Sequence, residues 1–179
     1  MTVWFTSDLH FGHNNIGAFT GRPWRDTRKM DKALIENINS VVEPHDTLYL
    51  LGDISFRNAN QTHALLDQIN GKLILIRGNH DGREVKGWRG WCGQHDELEM
   101  PLHGYKTKLN LCHYPPLRPM PGRVYLHGHL HRRTPGSLPL YDVGVDANNY
   151  MPVPQERIAE LVRAEKSGMA QLEKIMKEA

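Results

Sequence analysis

Apolar and polar positions fall into short, well-separated runs. The segment "VWFTSD" at 3–8 is an apolar run closing on an aspartate, and it reads as a first buried strand. Between 27 and 42, Met30, Leu34, Ile38, Val41 and Val42 recur at helical spacing, with Asp26 or Thr27 as the cap. "TLYLLGD" (47–53) is a second buried strand, and residues 60–70 a short helix carrying Leu65, Leu66 and Ile69, closed by Gly71. "KLILIRGNHD" (72–81) is a third strand running into a glycine turn. From there the pattern becomes strand after strand: "HDELEM", "YKTKLNLCH" and "RVYLHGH", with "LHGY" as a hairpin turn, then "LYDVGVD" at 140–146. Pro154 opens a C-terminal helical segment with Ile158, Leu161, Val162, Met169, Leu172, Ile175 and Met176 on one face, and Gly168 is where it would break or bend. A βαβαβ start followed by consecutive strands predicts mixed sheets covered by helices, in a single domain over 1–179.

Composition narrows the class without choosing a function. A chain of 179 residues, 39% hydrophobic and 23% charged, can bury a full core. A net charge of +2 offers no global field for nucleic acid or an anionic membrane. No leader pattern and no apolar run approaching about eighteen residues is visible, so the expected location is the cytoplasm. Cys92 and Cys112 are too few for a disulfide framework and are expected to be reduced. Cys112 adjoins His113, and neighbours on a strand face opposite ways, so if one meets a site the other meets the core. The unusual figure is 11 histidines, and their positions matter more than their number.

The same event recurs at successive strand ends. "VWFTSDLH" delivers Asp8 and His10, "LYLLGD" Asp53, "LILIRGNHD" Asn79, His80 and Asp81, "LNLCH" His113, and "VYLHGH" His127 and His129. That edge is where open sheets with helical crossovers build their sites. Any one of these histidines taken alone reads as a hydrogen-bonded structural residue at a strand end. Their agreement across strands does not. The types form a nitrogen and oxygen donor set without thiolate, suited to Mn²⁺, Fe, Zn²⁺, Co²⁺ or Ni²⁺ more than to Ca²⁺ or Mg²⁺ alone. A set of four histidines, two aspartates and one asparagine drawn from these ends suits two divalent ions sharing a carboxylate at roughly 3.5–4 Å.

"D-L-H" at 8–10, "G-D" at 52–53, "G-N-H-D" at 78–81, His113 and "G-H-L-H" at 128–131 together resemble the calcineurin-like metallophosphoesterase superfamily. The resemblance implies an α/β sandwich of two mixed sheets flanked by helices, four layers in all, with a two-metal site at one edge. From the residues alone the last histidine pair is either His127 and His129 or His129 and His131. The family places a glycine before the first, which selects His129 and His131 and leaves His127 behind them. Carried over by resemblance, Asp8, His10, Asp53 and His131 hold one ion, and Asp53, Asn79, His113 and His129 the other, with Asp53 bridging. His80 matches the family's non-ligand histidine near the scissile phosphate, Asp81 would orient its ring, and Arg57 matches an arginine that some members aim at phosphate. The implied ions, Mn²⁺ foremost, would provide a hydroxide that attacks phosphorus in line while His80 protonates the leaving oxygen.

The substrate reading is a small, cap-less phosphodiesterase acting on nucleotide-type or cyclic-nucleotide diesters. A nuclease or phosphomonoesterase of the same fold is the alternative, and a non-catalytic protein-binding scaffold a further one. No membrane and no long duplex nucleic acid is expected as a partner. Two loops near the donors, "GREVKGWRGW" (82–91) and "YPPLRP" (114–119), are aromatic and basic. Trp88 and Tyr114 either stack on a base with Arg118 meeting phosphate, or the tryptophans plug a satellite core. His13 is either a substrate contact or a loop histidine bonded to backbone. The C-terminal helix either packs on its own sheet or pairs two subunits.

Overall fold

The computed structural model describes the backbone of residues 1–178 and the side chains of residues 1–168. One sheet contains β1 (Val3–Thr6), β2 (Thr47–Leu50), β3 (Lys72–Ile76), β4 (Gly93–His95) and β9 (Val153–Pro154). Its order is β4-β3-β2-β1-β9, parallel except for β9. The other contains β5 (Glu97–Pro101), β6 (Lys108–Cys112), β7 (Arg123–His127) and β8 (Leu140–Asp142), antiparallel at β5–β6 and parallel after it. Two mixed sheets therefore carry the α/β fold.

Strand alternation divides the core. Leu48, Leu50, Leu73 and Leu75 face the helices, packing with Met30, Leu34 and Ile38 of α2 (Thr27–Asn39) and Leu66 of α3 (Ala59–Leu66). Phe5, Leu51 and Ile76 face the other way, onto Leu109, Leu111, Val124 and Leu126 of the second sheet. Asp26 caps α2 by accepting the Arg28 N–H. α5 (Gln155–Glu178) starts one residue after Pro154, runs through Gly168 without a break, and packs Ile158 and Val162 into the inter-sheet core. Met169, Leu172, Ile175 and Met176 lie outside the residues whose side chains are described.

Some elements differ from the sequence pattern. The run read as one strand, "HDELEM", is split: His95 ends β4 in the first sheet and Glu97 begins β5 in the second. Asp96 is the corner, fastened by Arg77 Nε at 2.9 Å. The stretch expected as strand to 146 ends at Asp142, and the chain continues past it through a single bridge between Gly144 and Ser7. Two short helices, α1 (Ile16–Thr20) and α4 (Arg83–Lys86), arise where no periodicity marked them. Among the described residues no helix is long and apolar enough to cross a membrane.

Candidate metal centre

The loops leaving β1, β2, β3, β6 and β7 meet at one sheet edge. The Asp8 N–H donates to the Gly52 carbonyl and the His10 N–H to the Asp53 carbonyl, each at 3.0 Å, so the first two loops are knitted together. Asp8, His10, Asp53, His129 and His131 all have left-handed backbone, with φ from 48° to 71°. Such conformations cost of order 1–3 kcal/mol each in non-glycine residues and persist where a site demands a side chain at that point. Close approach is bought with glycine at two neighbours. A Cβ on Gly78 would lie 2.3 Å from Asp53 Oδ1, and one on Gly128 would lie 2.0 Å from Ser7 Oγ and 2.3 Å from Asp8 Oδ2.

Two donor groups result. Asp8, His10 and His131 form one and Asp53, His113 and His129 the other, each offering one donor atom per residue within 4.8 Å of the rest. Asp53 Oδ2 reaches both, lying 3.5 Å from His10 Nε2 and 3.4 Å from His113 Nε2. Asn79 Oδ1 is 3.0 Å from His113 Nε2. His80, with its side chain 46% exposed, stands 3.9 Å from Asp53 Oδ2, and its N–H donates to Asp53 Oδ1 at 2.9 Å.

The hydrogen bonds show that these residues fit cations. His113 Nδ1 faces the Leu51 carbonyl at 2.8 Å, so that nitrogen carries the proton. A neutral His113 therefore turns the Nε2 lone pair toward Asn79 Oδ1 and Asp53 Oδ2, so acceptors converge with no donor between them. His131 repeats the arrangement: Nδ1 meets Asp146 Oδ2 at 2.8 Å, leaving Nε2 directed at Asp8 Oδ1, 3.9 Å away. His10 is 4% exposed, and neither ring nitrogen has a hydrogen-bond partner among the described residues. Buried, unpartnered imidazoles beside carboxylates are suited to a bound divalent ion.

Electrostatics couple these carboxylates and imidazoles closely. Burial pushes Asp8 up to about 6 and His10 down to about 4, so an uncompensated His10 is neutral and its lone pair free. Burial opposes the charge on Asp53, but the imidazoles of His10 and His113 beside it outweigh that and hold the carboxyl far below its ordinary range. His131 and His113 are raised despite burial, by Asp146 and Asp53 respectively.

The remaining sequence candidates are placed as follows. His127 is 2% exposed, its Nδ1 is 3.0 Å from the Gly128 carbonyl, and it belongs to neither donor group. His13 packs edge to face on Phe56 at 4.4 Å and lies 5.5 Å from the His10 ring. Tyr114 sits 4.4 Å from the His129 ring, while Arg118 is exposed and forms no ion pair among the described residues.

Three assignments are corrected. Arg57 does not point at the centre: Asp31 holds its guanidinium at 2.7–2.8 Å and Thr27 Oγ1 accepts at 3.1 Å, fastening the loop to α2. Asp81 does not orient the His80 ring. Its carboxylate accepts the N–H groups of Gly78, Asp53 and Ile54 at 2.8–3.0 Å, tying the second and third loops together. Trp88 packs against Trp91 and the core and donates to Asp67 at the end of α3, so it is a satellite-core residue.

Other residues escaped the sequence reading. Asp146 holds His131 and is itself gripped by Arg22, Nε to Oδ1 at 2.8 Å and a terminal nitrogen to Oδ2 at 2.9 Å. Arg22 also donates to the Leu9 and Asp8 carbonyls at 2.9 and 2.7 Å, so it braces the first loop from beneath. Asp146 follows the last apolar run as the other donors follow theirs, and that signal was available. Arg22 has no such signal. Phe56, stacked 5.2 Å from His10, stands where its one-letter context "ISFR" reads as ordinary core.

Comparison with known proteins gives the same placement. The chain is 32% identical over 174 residues to an uncharacterised protein of Methanocaldococcus jannaschii, covering 89% of this chain and 90% of the relative. It is 30% identical to the gene 66 protein of Mycobacterium phage L5, over 72% of this chain and 77% of the relative. A solved structure of a protein of unknown function from Aquifex aeolicus shares the fold with a TM-score of 0.70 at 24% identity, covering 89% of this chain and 98% of the other. The family model for the calcineurin-like phosphoesterase superfamily domain matches residues 1–138, the stretch that supplies every donor of both groups. The chain belongs to the calcineurin-like phosphoesterase superfamily.

Proposed function

We propose that this chain is a dinuclear metal-dependent phosphodiesterase acting on nucleotide-type or cyclic-nucleotide phosphodiesters, with Mn²⁺ as the preferred ion. The observation that carries the reading is Asp53 Oδ2 between the two donor groups, within 3.5 Å of a histidine from each. When bound, two such ions lower the pKa of water and offset negative charge on the phosphoryl oxygens. The chain's own residues supply the rest. Asp8, His10 and His131 would hold one ion, Asn79, His113 and His129 the other, and Asp53 would reach both. Asp146 and the Leu51 carbonyl fix the tautomers of His131 and His113, keeping both Nε2 lone pairs toward the centre. His80 is exposed on the open side, held through its backbone by Asp53, and donates a proton to the departing oxygen.

A homo-oligomer through α5 and a cytoplasmic location belong to the same reading. The test is a panel: bis(p-nitrophenyl) phosphate, p-nitrophenyl phosphate and cyclic nucleotides, offered to metal-free protein with and without Mn²⁺. Diesters should be hydrolysed fastest and only with metal. A preference for the monoester would overturn the diester assignment.

A further inference from the structure

Phe56 lies three residues after Asp53 and belongs to neither core cluster. Its ring is 44% exposed, although it is surrounded by imidazoles: His10 at 5.2 Å and nearly parallel, His13 at 4.4 Å and edge-on, His80 at 5.0 Å. A phenyl ring left this open forfeits much of the burial that a core position would give it, so packing does not account for its place. Nor is it loosely held. The Phe56 N–H donates to the Phe11 carbonyl at 2.8 Å, and the next residue, Arg57, is locked to Asp31 and Thr27. The Arg57 stem also passes against Gly12, where a Cβ would meet it at 2.5 Å. The ring is therefore set in position before any ligand arrives, and covering it costs little ordering.

The second donor group has a counterpart. Tyr114, 53% exposed, lies 4.4 Å from His129 and 5.1 Å from His113. Each group of candidate ligands thus carries one open aromatic ring, and Phe19, 76% exposed and 6.2 Å from His13, extends the Phe56 side. We infer that Phe56 is a specificity-determining wall: a flat aromatic substituent of the phosphoester stacks on it while the phosphoryl group occupies the centre. The substituent is a nucleobase or a simple aryl ring. This rests on the phosphoesterase reading above.

Competitive inhibition of bis(p-nitrophenyl) phosphate hydrolysis by phosphonates tests it, because their P–C bond survives. Phenylphosphonate and cyclohexylphosphonate differ in flatness at similar size, and a nucleoside 5′-phosphonate adds the base. In Phe56→Leu, inhibition by a flat phosphonate should weaken roughly 5- to 150-fold, the range for stacking on an aromatic side chain, and by the cyclohexyl compound much less. Phe56→Tyr should restore it. Weakening for the nucleoside compound alone assigns the wall to a base, and weakening for phenylphosphonate as well assigns it to any aryl ring. Equal changes for flat and puckered compounds, or none, would overturn the wall while leaving the hydrolase reading intact. A fall in metal content in Phe56→Leu would also overturn it, making the ring a support for His10. Wild-type protein that shows no metal-dependent hydrolysis at all would instead sink the phosphoesterase reading, and the wall with it.

Discussion

Replacing Asp146 separates the two tasks the structure gives it. Its carboxylate grips Arg22 through two bonds at 2.8 and 2.9 Å and accepts from His131 Nδ1 at 2.8 Å, and the Arg22 and Asp146 side chains are only 0% and 4% exposed. Asp146→Asn leaves a buried guanidinium without its counter-charge. Breaking a buried pair in this way costs about 3–5 kcal/mol. The two carbonyls still accepting from Arg22 place the loss at the lower end. In a chain of this length that is roughly 6–20 °C of Tm, read on metal-free protein.

The second task concerns metal. Without Asp146 the His131 tautomer is no longer fixed, and loss of such a partner typically weakens metal binding about 10–100-fold. Arg22→Met combined with Asp146→Leu removes both charges, so it should recover part of the stability and none of the metal affinity. Burial opposes the charge on Asp146, yet the Arg22 and His131 bonds hold its carboxyl well below the ordinary range. A depressed carboxyl contributes stability that is fully present above its unfolded value near ~3.9 and is lost as pH falls through the folded value. The gap between wild type and Asp146→Asn should therefore narrow in strong acid as Asp146 protonates, and narrow again as pH rises through the raised His131 value, where the charge attraction to Asp146 is lost. Unchanged Mn²⁺ affinity in Asp146→Asn would refute the orienting role. Unchanged Tm would refute the buried pair.

Other expectations follow from the site and from the core beneath it. His80→Ala should keep its metal, since His80 is in neither donor group, and lose kcat by roughly 10²–10⁴-fold, with the loss shrinking for good leaving groups. An equal loss across leaving groups would assign His80 to phosphate binding instead. Burial pushes the Cys112 thiol up to about 12, whereas Cys92 is exposed, so a disulfide reagent should titrate one thiol quickly and the second only on unfolding. Two fast thiols would mean that the second sheet opens readily at β6.

Asp8, His10, Asp53, His113 and His129 were legible as candidate donors because they follow apolar runs, and parallel strands deliver their ends to one edge; for the last position the residues left His127 and His131 open, and only the family's glycine chose between them. What could not be read is which way a side chain turns once the run ends. Arg57 stands at the spacing of a phosphate-binding arginine, but Asp31 on α2 captures it, and nothing local to "GDISFR" announces a partner 26 residues earlier. Asp81 was assigned to the neighbouring ring, yet the nearer demand was the unpaired N–H groups of its own turn and of Asp53. Arg22 and Asp146 are 124 residues apart, so their pairing belongs to the assembled fold alone. The left-handed backbone at five of the donors runs against local preference. There the chemistry needed a side chain where the turn would favour glycine. The corner at Asp96 was hidden because one alternating run serves two sheets.

The most direct test of the account is the number of ions bound against activity. Metal-free protein should be titrated with Mn²⁺ while bound metal and bis(p-nitrophenyl) phosphate hydrolysis are followed together, in wild type and in Asp53→Ala. The account predicts two ions per chain, hydrolysis that rises as the centre fills, and impaired binding of both ions when Asp53 is removed. Full hydrolysis in metal-free protein, or an Asp53→Ala variant that binds two ions as tightly as wild type, would contradict it.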